Sequence, residues 1–141
     1  MDKHCVSLEI AKQLKEVGWK KETEFWWVYN KLRDEHKICY GLSDCCKNHS
    51  ESWEYYHAPL ATEILEELPK KDDSDNLARW RFEIELTKGG MYYCRYDSID
   101  GREIPDNSKE ENEDKWVLIN DKSLPNALAK MWLYLRKENL I

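Results

Sequence analysis

Phenylalanine is nearly missing from this chain of 141 residues: there are two, against seven tryptophans and eight tyrosines. Glycine and proline are also scarce, at five and four. With so many aromatics beside them, that scarcity argues against a wholly disordered chain. No apolar run approaches the ~20 residues of a membrane span, so no membrane association is expected. The opening residues Met1 to Cys5 pass directly into an amphipathic pattern, without the apolar stretch of a secretion signal. Gly89-Gly90 stands alone. There is no Gly-x-Gly-x-x-Gly or Gly-Lys-Ser, so no phosphate-cradling loop is expected. Nor is there a Cys-x-x-Cys pair or the Asp-x-Asp-x-Asp-Gly order of a calcium loop.

What is present is charge and amphipathic rings. Twenty-eight acidic residues outweigh twenty-two basic ones, for a net charge of −6. Bulk repulsion of phosphate therefore disfavours nucleic acid as a partner. Lys12, Lys15, Lys20 and Lys21 cluster, but Glu9, Glu16, Glu22 and Glu24 interleave with them, as on a solvated helix face. The five cysteines, Cys5, Cys39, Cys45, Cys46 and Cys94, are an odd count, which suits a reducing cytosol better than a disulfide framework. Mean hydropathy is −0.86, so much of the apolar surface sits on rings that carry a polar atom. The length fits a single domain over residues 1–141.

Helical spacing of Leu8, Ala11, Leu14 and Val17 predicts a first helix, with Ser7 as N-cap and Gly18 just past its end. Glu24 to Tyr29 is too aromatic and β-branched for a preferred helix and reads as a strand. Phe25, Trp27 and Tyr29 share one of its faces, Trp26 and Val28 the other. Lys37–Tyr40 and Trp53–His57 read as short strands. Pro59 starts a second helix, in which Leu60, Ile64, Leu65 and Leu68 share a face, and Pro69 ends it. Trp80, Phe82, Ile84 and Leu86 alternate with charged residues. Lys88-Gly89-Gly90 turns the chain into a return strand from Met91 to Tyr96. Residues 97–114 are rich in acid and read as a solvated, mobile loop. Trp116–Ile119 adds a strand. Ser123 caps a last helix with Pro125 in its first turn and an apolar face widened by Trp132, Leu133 and Tyr134. The expected fold class is α+β: an antiparallel sheet of about five short strands, with three helices packed mainly on one face.

Several blocks together resemble small uncharacterised proteins encoded by bacteriophages and integrated prophages. They are Cys5-Val6-Ser7-Leu8-Glu9, the aromatic strand at Trp26, Ala58-Pro59 leading into Glu63–Pro69, and Ser123 leading into Ala127-Leu128-Ala129-Lys130-Met131. The resemblance covers both ends and the middle as short blocks, mostly helix starts and core positions. It implies a bacterial cytoplasmic setting and brings no activity with it. The stretch from Cys39 to His49 is not part of the resemblance.

Two constellations could carry function. His36, Cys39, Cys45, Cys46 and His49 fall within fourteen residues and offer thiolate and imidazole, the usual ligands of zinc. Their spacing fits no strong zinc signature, and adjacent Cys45 and Cys46 ligate one ion poorly, so no cofactor is expected. A metal-binding protein or small enzyme using Cys39, Cys45, Cys46 and His49 is the alternative reading. Cys94 has no histidine near it in sequence and reads as a core cysteine. The carboxylate pairs Glu66-Glu67, Asp72-Asp73, Glu110-Glu111 and Glu113-Asp114 read as solvated. The aromatic set is the second constellation. Trp and Tyr concentrate at the centres of interfaces because they bury area with few rotatable bonds and keep a polar tip. The expected function is a non-enzymatic interaction module that binds another protein, or a second copy of itself, through a face including Trp26, Trp27, Tyr55 and Tyr92.

Overall fold

The computed structural model describes residues 3–41, 52–69, 80–98, 116–139 and 141. In chain order the elements are α1 (Leu8–Val17), β1 (Phe25–Asn30), β2 (Glu35–Tyr40), β3 (Trp53–His57), α2 (Ala61–Glu67), β4 (Trp80–Leu86), β5 (Tyr92–Ser98), β6 (Trp116–Asp121) and α3 (Leu124–Lys137). The acidic stretch 97–114 lies outside the described residues except for its first two, which end β5.

The α+β class holds, but the single five-stranded sheet does not. There are six strands in two antiparallel three-stranded sheets, ordered β2-β1-β3 and β4-β5-β6. The reason lies in the helices. In place of a layer on one face of a common sheet, they stand between the two sheets. α1 packs on the first sheet, α3 packs on β5 and β6, and α1 and α2 both pack on α3. One hydrophobic cluster runs through all of these contacts.

Local chemistry sets the helix ends. Ser7 Oγ accepts from Ile10 N–H at 3.4 Å. Gly18, at φ +99°, closes α1 by donating to Leu14 O and Lys15 O; the left-handed backbone there favours glycine. At α2 the Glu63 carboxylate reaches back to the N–H of Leu60 at 2.7 Å and also accepts from Glu24 N–H at 2.9 Å, tying the helix start to the start of β1. Ser123 Oγ accepts from Asn126 N–H to cap α3, with Pro125 in the first turn as the sequence implies. Pro125, Ala127, Leu128, Ala129, Met131, Trp132, Leu133 and Leu135 of α3 are all buried. A helix apolar nearly all round belongs in an interior.

Each sheet sends from its central strand a buried ring whose polar tip bonds a backbone carbonyl. Trp27 of β1 is buried, and its Nε1–H donates to Val6 O at 2.8 Å. Tyr96 of β5 is buried, and its hydroxyl donates to Pro69 O at 2.9 Å, just past α2. Trp19, after α1, donates to Lys21 O and meets Trp132 edge-on at 5.1 Å.

Candidate interaction surface

The four aromatics nominated from sequence do not form one face. Trp27 lies on the inner side of the first sheet, with Tyr56 directly across from it on β3 and its indole committed to Val6. It is core. Tyr92 belongs to the other sheet and lines a groove of about 620 Å³ with Lys3, His4, Ser7 and Lys122. Trp26 and Tyr55 remain together: the register sets Trp26 opposite His57 and Val28 opposite Tyr55, so both rings share the outer face of the first sheet with Trp53.

That outer face has its own order. Trp26 stacks on His57 with ring centroids 3.9 Å apart. The single hydroxyl proton of Thr23 is given to Phe25 O at 2.9 Å. His57 Nδ1, 3.1 Å from that hydroxyl, is therefore the donor, and Nε2 keeps the lone pair. Burial holds the His57 pKa below the usual imidazole value and Lys15 adds to that, against the opposing pull of Glu22 and Glu63. Val28 and Cys39 are buried on this side but stand outside the main hydrophobic cluster. The half-exposed rings of Trp26, Trp53 and Tyr55 thus surround a small buried centre.

Two features of the inner side escaped sequence reasoning. Lys12 Nζ lies 4.2 Å from the centroid of the Tyr29 ring, and Lys15 Nζ lies 4.9 Å from that of Tyr56. The hydroxyl of Tyr56 is bonded to Glu54, which is itself bridged by Lys31. Burial, then the Glu54 partner, pushes the Tyr56 phenol up to about 12. Lys12 and Lys15 therefore lie along tyrosine rings, Lys15 and Lys20 are exposed, and Lys21 bridges Glu66 and Glu67. Helical spacing places Lys12 and Lys15 on one face of α1, but only the strand register shows which rings they meet.

The second feature missed is at β4. Ile84 and Leu86 alternate like core residues, yet they are 41% and 58% exposed. α3 covers β5 and β6 and stops short of this end of the edge strand. The other side of the same sheet is polar: Arg95 bridges Glu83 at 2.5 Å beside Glu85 and Tyr93.

For metal chemistry, Cys39 is buried, and Cys45, Cys46 and His49 lie outside the described residues. Among the described residues no three His, Cys, Asp or Glu side chains are grouped to hold an ion. Cys5, Cys39 and Cys94 are all buried. Burial pushes the Cys94 thiol up to about 12, so it is not a thiolate at neutral pH. No helix among the described residues is long and apolar enough to cross a membrane. No protein-family model, curated protein or solved structure matches the chain.

Proposed function

We propose that this chain is a non-enzymatic protein-interaction module of phage or prophage type, working in the bacterial cytoplasm. Its partner binds the outer face of the first sheet around Trp26 and Tyr55. The observation that carries the reading is the division of the rings: Trp27 is spent on the core, while Trp26, Tyr55 and Trp53 stay half-exposed side by side on a sheet face. Rings of this kind, flanked by polar tips, are the residues that dominate binding energy at interface centres. The fully buried state of Cys94 and its raised thiol pKa speak against nucleophilic use of that cysteine.

The test is a comparison of wild type with Trp26→Ala in phage-infected bacteria, followed by titration of the purified partner. Loss of the alanine-truncated ring is expected to weaken binding by about 2 kcal/mol, roughly thirtyfold. Retention of the same partner at the same affinity by a folded Trp26→Ala protein would overturn the assignment of the face.

A further inference from the structure

We infer that β4 is a self-complementary edge, and that two copies of this chain pair through it, antiparallel, about a two-fold axis at Glu83. The interface is distinct from the Trp26 face and does not depend on it.

β4 has β5 on one side and no described strand on the other. Thr87 N–H donates to Met91 O at 2.9 Å. By the alternation of an antiparallel ladder, the odd residues of β4 bond β5, and the even residues Trp80, Phe82, Ile84 and Leu86 direct their backbone N–H and C=O outward. Such a row is a template for another strand. Most edges are blunted by short length or charge on both sides, but this one is seven residues long and its inner side carries the exposed Ile84 and Leu86.

The sequence of β4 selects the second copy as occupant and fixes the register. With Glu83 on the axis, Phe82 falls opposite Ile84 of the partner subunit, and residue 80, a tryptophan, opposite Leu86 of the partner subunit. Both pairs are of the outward-bonding kind, so the ladder continues without a bulge. Residue 81, an arginine, takes the register position opposite Glu85 of the partner subunit, and the symmetry repeats the match. Opposite charges across a ladder stabilise and like charges destabilise. On the axis Glu83 meets its own copy, but each Glu83 is already bridged by Arg95 within its own sheet. Sliding the register by two residues one way would set Glu83 against Glu85 of the partner subunit on both sides, a like-charge clash; sliding it the other way would carry Leu86 past residue 80, where β4 begins, and leave it without a strand position opposite. The pairing turns two three-stranded sheets into one of six and sets the exposed Ile84 of each copy opposite Phe82 of the partner subunit. A single strand edge buries less than a standard interface, so the dimer is concentration-dependent.

Sedimentation equilibrium of the full chain from about 10 µM to about 1 mM tests this. The wild-type mass is expected to climb from 17.0 kDa toward twice that value. Glu85→Arg sets like charges opposite each other twice and should raise the dissociation constant at least about tenfold. Arg81→Glu should do the same, and the double exchange Arg81→Glu with Glu85→Arg should bring association back. Ile84→Lys, on the apolar side, should remain monomeric. Trp26→Ala should dimerise like wild type, which separates this interface from the partner-binding face. Circular dichroism confirms that each variant is folded. A wild-type mass fixed at 17.0 kDa across the range overturns the inference. So does equal association of wild type and Glu85→Arg, or a folded double exchange that stays monomeric.

Discussion

The two sheets solve the same problem with different residues. Both are antiparallel, three-stranded and packed on the helical layer, and each anchors its central strand with one buried ring whose polar tip bonds a backbone carbonyl. In the first sheet the anchor is Trp27 on Val6 O; in the second it is Tyr96 on Pro69 O. They differ in what is left outside. The first sheet keeps amphipathic rings on the outer face of its middle strand and beside it. The second keeps a polar outer face and leaves aliphatic residues at an edge. The scarcity of phenylalanine follows from the shared device. A buried phenylalanine fills volume, but it cannot donate to a backbone carbonyl as these two rings do.

The strongest break of the comparison strikes both sheets through the layer they share. Leu128 of α3 is fully buried. Leu128→Ala should cost about 3 kcal/mol, the transfer loss plus a cavity. If the helical layer couples the sheets, Trp fluorescence and far-ultraviolet dichroism should move together in one urea transition. Separate transitions would show that each sheet holds its own core.

Next in size are the anchors. Trp27→Phe removes the donor to a buried carbonyl, at about 1–3 kcal/mol, and Tyr96→Phe removes the donor to a part-buried one, at about 1 kcal/mol. Trp26→Phe, one residue from Trp27, should cost less than about 0.5 kcal/mol, because its indole is half-exposed and stacked. Denaturant midpoints of the three variants measure this. Equal losses at Trp26 and Trp27 would erase the distinction between outer and inner rings on which the binding face depends.

Local features were readable without the structure. Ser7, Gly18, Pro59, Pro69 and Ser123 act through the few residues around them, and each marks a boundary at or near the expected place. The hairpin around Lys88-Gly89-Gly90 is equally local. Strand partnership is not. β1 pairs with β2 across a short turn and with β3 across the longer stretch beyond Gly41. Nothing in the pattern of β3 says that it ends the order of described strands in its sheet and does not pair with β4. The exposure of Ile84 and Leu86 was hidden for the same reason: alternation identifies the inward side of a strand, but not how far α3 extends over it. Trp26 and Trp27 were separable in principle by alternation; which of the two faced the helices depended on where α1 docked.

The smallest effect separates the sheets by pH. The first carries His57, held by burial below the ordinary imidazole pKa, and β4, β5 and β6 contain no histidine. Well above about 6.5 His57 is neutral in both folded and unfolded chains and contributes nothing to pH dependence. As pH falls through that value, the unfolded chain takes up a proton that the folded chain still refuses, so stability declines. The decline stops once the pH passes below the folded pKa and both states are protonated. Nδ1–H donates to Thr23 in either state, so the opposition comes from desolvation of the charge and not from a lost hydrogen bond. Urea midpoints at pH 7.5 and pH 5.5 should therefore fall for wild type, and fall less for His57→Gln. The stacked indole gives a local readout of the same proton: Trp26 emission should dim over this interval in wild type and hold steady in His57→Gln. A wild-type decline that survives the glutamine substitution unchanged would place the titrating group elsewhere and leave the outer face of the first sheet indifferent to pH.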